Sequence, residues 1–376
     1  MFATRGTLHQ TPAVPQTASS PLSGVRVLDL TTFLSGPIAA QALVQLGAEV
    51  VKIEPPTGDP TRAGRPEPVS PFWWALHRDR KSVVLDLKNP AALAVLLDMV
   101  RHVDVVVENY RPGVTTRLGI TFEALSAVNP SLIMCSITGY GASGPLSDAA
   151  AVDGAIQAFT GAFHLPGVFG ERMGPVPAVI ADLAGGTTAA QGVLAALVAR
   201  STGGTSGGCH VEVDLVGAVL GWLAVSDWVG STRFPRTVIA EAADGRQFVV
   251  QTPLHFSARL AALLGLDHED TPEYGDRVRN ALRAKPRDEW IALLAREGIP
   301  ASPVQTMAEA LAHPDVASES GGGFTLPASP FQFNGERHGS AEPPPTLGEH
   351  TESVLRQLLG YDDETLSQLR TKGVFG

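Results

Sequence analysis

Cysteine is scarce in this chain, which has two cysteines, Cys135 and Cys209, among its 376 residues. Two cysteines cannot form a disulfide framework, and neither stands at a metal-ligand spacing, so we expect no metal site and a reducing, cytoplasmic location. Positive charge is also scarce: the formal net charge is −10, which argues against a nucleic-acid partner. The apolar run 216–225 is bracketed by Asp214 and Asp227 and is too short to span a membrane, so we expect no membrane partner.

The familiar nucleotide and metal motifs are missing. The first predicted strand–helix turn has no G-x-G-x-x-G sequence, and no G-K-[ST], H-E-x-x-H or paired C-x-x-C sequence occurs. Residues 204–208 (GTSGG) match G-x-S-x-G, but they follow a predicted helix, whereas a nucleophile elbow follows a strand. We therefore interpret this run as linker and expect no nicotinamide or nucleoside-triphosphate chemistry.

Strands and helices alternate through the first part of the chain, which predicts an α/β fold with a large, Rossmann-like open sheet. Short connections between successive strands imply parallel pairing with right-handed crossovers. Ligands of such sheets bind at the carboxyl ends of the strands, so the loops that follow the strands are candidate ligand loops. The predicted strands are 25–31, 49–54, 82–87, 104–108 and 132–138.

The composition divides the chain into three parts. Residues 1–20 are polar, rich in Pro, Thr and Ser, and lack the apolar core of a signal peptide, so we predict a flexible extension. Residues 21–216 together with 330–376 form the predicted large domain, and 217–329 form a smaller α+β domain with connecting segments. Within the smaller domain we expect a strand at 246–251, helices at 256–264 and 287–296, and a Gly/Ser-rich loop at 318–328.

The most informative stretch is 177–200 (PAVIADLAGGTTAAQGVLAALVAR). Its Ala- and Leu-rich part favours a helix, and Asp182 stands where the N-cap is expected. The free amide N–H groups and the positive end of the helix dipole would keep this carboxylate ionised. Gly185 and Gly186 would let a ligand come close to it. Asp182 is therefore a candidate nucleophile, and the alternative, which this stretch alone favours, is that Asp182 only caps its helix.

Seven blocks of the sequence, taken together and in order, resemble the class III CoA-transferases, the formyl-CoA/oxalate and carnitine-CoA transferase type. They cover most of the chain from Pro21 to its end. The blocks are PLSGVRVLDLTTFLSGP (21–37), LGAEVVKIEPPTGDPTR (46–62), RKSVVLDLK (80–88), DVVVENYRPGVTTRLGI (104–120), NPSLIMCSITGYGASGP (129–145), VIADLAGG (179–186) and TLGEHTESVLRQLLGY (346–361).

The resemblance implies transfer of coenzyme A between an acyl-CoA thioester and a carboxylic acid, with no permanently bound cofactor. In this family the aspartate before the glycine pair attacks the thioester and forms a mixed anhydride, and CoA then forms an aspartyl-CoA thioester. That aspartate corresponds to Asp182. Splitting the transfer into covalent steps is the benefit of nucleophilic catalysis. The resemblance also implies an interlocked homodimer, built like two links of a chain.

The same correspondence implies two groups of site residues. Those expected at the CoA site are Phe33, Ser35, Leu85, Lys88, Asn109, Tyr110, Arg111 and Arg117. Those expected in the substrate pocket are Tyr140, Gly141, Asp153, Gly185 and Gly186.

Three alternatives remain open from the sequence. A sister branch, the 2-methylacyl-CoA racemases, uses a histidine in a Gly-His-Asp run as one of two bases. Here the corresponding run is Ala151-Val152-Asp153, and because valine cannot exchange a proton, this difference favours a transferase. An intramolecular CoA isomerase and a non-catalytic CoA-binding homologue are the other two alternatives.

Overall fold

The structure is a computed structural model that describes residues 20–62, 70–164, 174–204, 207–231, 236–252, 254–267, 272–321, 323–337 and 342–376. Apart from Ser20, the predicted N-terminal extension lies outside the described residues, as do Thr205 and Ser206 of the glycine-rich linker.

A six-stranded sheet forms the centre of the large α/β part, with every neighbouring pair of strands parallel. The spatial order is β3-β2-β1-β4-β5-β6, so the order reverses between β1 and β4. This confirms the predicted parallel α/β sheet, and the reversal creates the crevice where such sheets bind ligands. The strands are β1 (Arg26–Asp29), β2 (Glu49–Glu54), β3 (Lys81–Val84), β4 (Val105–Glu108), β5 (Ile133–Thr138) and β6 (Cys209–Asp214).

Eight helices lie between residues 35 and 231 in the described part of this segment, and two buried apolar clusters lie between helices and strands. Side chains cap several helices at their first turn: Asn89 accepts a hydrogen bond from Ala91, and Thr121 accepts one from Ala124. The helices are α1 (Ser35–Gln45), α2 (Pro71–His77), α3 (Pro90–Val100), α4 (Val114–Leu118), α5 (Phe122–Val128), α6 (Asp153–Phe159), α7 (Ile180–Ser201) and α8 (Leu215–Ser231). The predicted domain boundary at residue 217 falls inside α8.

A second, antiparallel sheet of three strands has a core of its own around Phe248 and Trp290. Its strands are β7 (Arg236–Glu241), β8 (Gln247–Thr252) and β9 (Ala301–Pro303), and the accompanying helices are α9 (Leu254–Leu264), α10 (Pro272–Ala281), α11 (Arg287–Arg296) and α12 (Met307–Leu311). The strand and two helices predicted within this segment are present: α11 has the predicted bounds, and those of β8 and α9 differ by one or two residues.

The Gly/Ser-rich segment 318–328, predicted as a loop, contains a hairpin instead. Strands β10 (Ser318–Gly321) and β11 (Phe324–Pro327) pair antiparallel, and Gly323 in the connection has φ +83°. A Cβ on Gly321 would lie 2.5 Å from the Trp74 ring, so the glycine lets the hairpin pack against α2. The glycines thus serve turn geometry and close packing, which composition alone does not distinguish from a loop.

The C-terminal segment returns to the parallel sheet after a short hairpin of β12 (Gln332–Phe333) and β13 (Glu336–Arg337). Helices α13 (Thr351–Leu359) and α14 (Asp363–Thr371) follow, and Leu355 and Leu366 are buried in the same cluster as β3. The Thr351 hydroxyl accepts a hydrogen bond from the backbone N–H of Val84 at 3.1 Å. The end of the chain therefore covers the edge of the sheet at β3.

The two glycines near the start of α7 allow close approach of other helices. A Cβ on Gly186 would lie 2.5 Å from the Ser35 carbonyl oxygen and 2.7 Å from Ile38 in α1, and one on Gly185 would lie 2.1 Å from Leu215 in α8. Both glycines are buried. The prediction that they leave space for a ligand is thus corrected: the space is filled by α1 and α8, because only a residue without a side chain fits there.

We expect Gly186→Ala to lower the free energy of unfolding by about 2 kcal/mol. The new Cβ meets backbone, so overpacking costs about 3 kcal/mol, of which helix propensity offsets ~1 kcal/mol. Urea unfolding measures this change. Gly221→Ala in α8 is the matched control, because a Cβ there meets nothing within 4 Å, and it should leave stability unchanged or raise it. Equal effects of the two substitutions would contradict the packing role of Gly186.

Candidate active site

Asp182 lies in the first turn of α7, whose N-cap residue is Val179. The prediction that Asp182 itself is the N-cap is therefore wrong, because two helical residues, 180 and 181, lie between the N-cap and Asp182. Its carboxylate does not cap its own helix; it faces the hydroxyl and the backbone N–H of Ser35, the first residue of α1, and both groups lower its pKa. The alternative that Asp182 only caps its own helix is therefore not supported, because the carboxylate faces another helix.

The capping role belongs to Asp153, the first residue of α6. Its Oδ1 accepts hydrogen bonds from the backbone N–H of Ala181 at 2.7 Å and of Asp182 at 3.3 Å. Its Oδ2 accepts one from the Gln157 side-chain amide at 2.5 Å, and the same amide nitrogen donates to the Ala178 carbonyl at 2.9 Å. Asp153 and Gln157 therefore hold the start of α7 and, with it, the backbone that carries Asp182.

Burial, followed by the negative charge of Asp153, raises the pKa of Asp182 to about 6, and the hydrogen bonds from Ser35 lower it in part. Both causes penalise the ionised form. At neutral pH the carboxylate is still ionised, but it is more basic than an ordinary aspartate. A carboxylate in this state is suited to act as a nucleophile or a base.

The loop between β1 and α1 forms the opposite wall. Asn109, which follows β4, brackets the Thr32 backbone: its Oδ1 accepts from the Thr32 N–H and its Nδ2 donates to the Thr32 carbonyl, both at 2.8 Å. Phe33, which follows Thr32 in the chain, has a backbone φ of +61° and is 59% exposed. A bulky residue in the left-handed region is strained, and such strain persists only where the surroundings impose it. Asn109 imposes it here.

Buried ion pairs support this loop from behind. Arg80 Nη1 contacts Asp29 Oδ2 at 2.6 Å, and both side chains are fully buried. Although burial raises the pKa of Asp29, the charges of Lys52 and Arg80 and hydrogen bonds from Thr31 hold it below its usual value. Lys52 Nζ donates to the Thr31 carbonyl at 2.8 Å. The chain entering the loop is thus fixed through both its side chains and its backbone.

A cavity of about 640 Å³ opens between these walls at the carboxyl ends of β1, β4 and β5. Six of the residues predicted from the sequence line it together with Thr32, Val114, Ile137 and Leu215, among others. Those six, besides Asp182 itself, are Phe33, Ser35, Asn109, Tyr110, Arg111 and Asp153. The structure therefore brings the candidate nucleophile and most of the predicted CoA-site residues to one cavity.

The other predicted site residues lie elsewhere. Leu85 is buried in the apolar cluster beneath α3 and α13, whereas the side chains of Lys88 and Arg117 are exposed to solvent. The Tyr140 ring meets the Phe159 ring edge-on at 5.4 Å, and Gly141 has φ +91° in the turn after β5. Gly185 and Gly186 are covered by α8 and α1, as described above.

Several lining residues are not among the site residues predicted from the sequence, and Val152, Leu215 and Thr138 are three of them. Val152 was noted only for lacking a proton to exchange, and its side chain is 68% exposed at the cavity. The sequence signal for Leu215 is the apolar run that begins directly after Asp214. Leu215 is the first residue of that run and of α8.

Among the described residues, no group of three or more His, Cys, Asp or Glu side chains is placed to hold a metal ion. In the same part of the chain, every helix is too short or too polar to cross a lipid bilayer.

Comparison with known proteins decides the family. The model of CoA-transferase family III matches residues 22–351. The chain belongs to this family. It is a class III CoA-transferase, as the seven ordered blocks predict, and this class moves coenzyme A from an acyl-CoA to a carboxylic acid. The six-stranded parallel sheet and the cavity at its carboxyl edge are thus the family fold and a candidate place for that chemistry.

Similar proteins span nearly the whole chain. A human protein named succinyl-CoA:glutarate CoA-transferase is 30% identical over 94% of this chain and 90% of its own length. An acetyl-CoA:oxalate CoA-transferase from Acetobacter aceti is 32% identical over 86% of this chain and 91% of its own length. Among solved structures, Rv3272 of Mycobacterium tuberculosis matches with a TM-score of 0.77 at 30% identity, covering 90% of this chain and 99% of the other. A CAIB/BAIF family protein from Brucella suis matches with a TM-score of 0.77 at 26% identity over the same shares.

Replacing Asp182 by Asn should stabilise the fold at neutral and higher pH. Because folding raises the pKa of Asp182 from 3.8 to about 6, stability is lost as pH rises above 4, and the loss is complete above pH 6. We expect Asp182→Asn to be more stable than the parent by about 3 kcal/mol at pH 8, with the difference falling toward zero near pH 4. Urea unfolding at both pH values tests this. Asp148→Asn, the same change at an exposed position, is the control, and a pH-independent effect of Asp182→Asn would refute the expectation.

Proposed function

We propose that this transferase works through a covalent intermediate on Asp182. The observation that carries the proposal is the placement of Asp182: a partly buried carboxylate, freed from capping its own helix by Asp153, that lines the cavity with the predicted CoA-site residues. Its raised pKa makes it a stronger nucleophile than an ordinary carboxylate while leaving it ionised at neutral pH.

The reaction needs no external proton, oxidant or metal. The Asp182 carboxylate attacks the thioester carbonyl carbon, the C–S bond breaks, and CoA leaves as the thiolate, which gives a mixed anhydride. The thiolate then attacks the aspartyl carbonyl carbon, releases the donor acid as a carboxylate and forms an aspartyl-CoA thioester. The acceptor carboxylate attacks the carbonyl carbon of that thioester, the C–S bond breaks, and a second mixed anhydride forms between Asp182 and the acceptor. The released CoA thiolate attacks the acceptor's acyl carbon, which gives the new acyl-CoA and restores the Asp182 carboxylate.

Ser35 supports the steps at the aspartyl carbonyl. Its hydroxyl and backbone N–H face the Asp182 carboxylate and lower its pKa, and Ser35 begins the 11-residue helix α1. Each attack on the aspartyl carbonyl places negative charge on its oxygen. Donors already aimed at that oxygen, together with the positive end of the helix dipole, stabilise the charge without reorganisation.

We propose that CoA lies over the carboxyl ends of β1 and β4, against Phe33, Asn109, Tyr110 and Arg111. The exposed cations Lys88 and Arg117 remain candidates for its phosphate groups, and Leu85, Tyr140 and Gly141 remain predictions from the family resemblance. A cytoplasmic location and the absence of a resident cofactor also remain part of the proposal.

The interlocked homodimer is likewise proposed for this chain. Its α8 helix presents Leu220, Trp222 and Val225 with 47%, 48% and 67% of their surface exposed. Apolar surface of this kind on one helix is typical of a face that a second copy covers. The racemase alternative has no support at the cavity, because Val152 occupies the position where that mechanism needs a proton-carrying base.

We expect Asp182→Ala to reduce CoA exchange between acids by at least roughly a thousandfold, because it removes the nucleophile on which every step depends. CoA binding, measured by calorimetry, should change little.

Hydroxylamine added during turnover with acetyl-CoA should give a hydroxamate at Asp182 in the parent chain, detected by mass spectrometry of the peptide. Exchange that survives in Asp182→Ala, or a hydroxamate found only elsewhere, would refute the mechanism, and a lack of any turnover in the parent chain would favour the non-catalytic alternative.

The rate should also depend on pH in a defined way. Because the ionised form of Asp182 attacks, kcat/KM should rise with pH through about 6 and level off above it. Ser35→Ala removes a hydrogen bond that lowers the pKa of Asp182, so its midpoint should move to higher pH. Initial rates between pH 5 and 8 measure both midpoints. A flat profile in the parent chain, or an unmoved midpoint in Ser35→Ala, would argue against these assignments.

A further inference from the structure

The two walls of the cavity differ in chemistry. The wall formed by the loops after β1 and β4 carries polar groups, including Asn109, the Tyr110 backbone and Arg111. The wall nearer Asp182 carries Val152, Asp153 and Leu215. Val152 directly precedes the residue that holds the Asp182 backbone, and Leu215 packs against Gly185, three residues after Asp182. On this wall the reacting carboxylate therefore faces apolar side chains plus one further carboxylate, whereas Ser35 of α1 faces it from the other side.

The charge on the wall nearer Asp182 is negative. The Asp153 carboxylate already raises the pKa of Asp182, so the two negative charges oppose each other. Of the lining residues in the described part of the chain, Arg111 is the one with a positive charge, and it lies in the loop after β4, on the polar wall, with an exposed side chain. A second carboxylate on the acyl group would be a third negative charge next to Asp182, without a facing cation on that wall.

Apolar surface at the cavity is left open. The side chains of Val152 and Phe33 are 68% and 59% exposed, although both line the cavity. Phe33 is held there in a strained left-handed conformation by Asn109. Strain and exposed apolar area at the same site indicate a ligand surface that becomes covered when the ligand binds.

We infer that the acyl group transferred by this chain is apolar and carries no second charge: it comes from a monocarboxylic acid, and Val152 is a determinant of that choice. The inference rests on the proposed covalent mechanism at Asp182. It separates this chain from the relatives that are named for glutarate and oxalate. The acyl group covers Val152 and Leu215 while it is bound to the Asp182 carbonyl.

The test compares two acyl groups of the same shape. Succinyl-CoA ends in a carboxylate and 4-methylpentanoyl-CoA ends in an isopropyl group of similar outline, and acetyl-CoA serves as a small reference. Each is mixed with the full-length chain, the reaction is quenched with hydroxylamine, and the rate of hydroxamate formation at Asp182 is followed by mass spectrometry. We expect 4-methylpentanoyl-CoA to react at least roughly a hundredfold faster than succinyl-CoA, since burying an unpaired charge is far less favourable than burying a methyl group.

Val152→Lys places a cation on the apolar wall. It should reduce the rate advantage of 4-methylpentanoyl-CoA over succinyl-CoA at least roughly tenfold. Leu146→Lys adds the same charge on an exposed side chain of the neighbouring loop, outside the cavity lining, and should leave the preference unchanged. Succinyl-CoA reacting as fast as 4-methylpentanoyl-CoA would overturn the inference. Reaction of acetyl-CoA alone would overturn the part of it in which the acyl group covers Val152 and Leu215. Equal effects of the two lysines would overturn the role of Val152. No hydroxamate with any of the three thioesters would instead overturn the covalent mechanism itself.

Discussion

The close approach of α1 and α7 is the constraint on which the rest of the site depends. Gly186 lets the α7 backbone lie against the Ser35 carbonyl, where a Cβ would be 2.5 Å from the oxygen. The same approach places the Ser35 hydroxyl and N–H next to the Asp182 carboxylate one turn earlier in α7. Two adjacent glycines in a helix interior cost about 1 kcal/mol each in helix propensity. That cost is offset by helix packing, and its chemical consequence is a carboxylate that meets the positive end of a neighbouring helix as well as that of its own.

A second conflict is built into the same place. Asp153 stabilises the first turn of α7 by accepting two of its backbone N–H groups, yet its charge disfavours the ionised form of Asp182. A neutral residue in place of Asp153 would accept these hydrogen bonds with less repulsion. The arrangement therefore sacrifices some stability above pH 6 and yields a more basic carboxylate. At functional sites, residues are often kept for activity although they lower the stability of the fold.

The sequence was sufficient for the parallel sheet, because strands such as β4 and β5 are buried on both faces and appear as continuous apolar runs. It also predicted the long helix α7 from its Ala and Leu content. It could not place the start of that helix, since the cap comes from Asp153, 29 residues away in the chain. Local rules likewise could not tell whether Gly185 and Gly186 face a ligand or a helix. The family resemblance brought residues such as Phe33 and Arg111 to the cavity, but it also pointed to Leu85, whose side chain is in the core.

The buried ions behind the site explain how a strained loop can be maintained there. An ion pair such as Asp29–Arg80 gains little net stability over an apolar pair, because both charges lose their water. It does, however, tie the end of β1 to one geometry, and Lys52 adds a hydrogen bond to the Thr31 carbonyl at the same point. With the loop held from behind by these groups and from the front by Asn109, Phe33 has no relaxed conformation available. Rigidity of the charged frame is thus what allows an apolar side chain to stand exposed at the cavity, ready to be covered by a substrate.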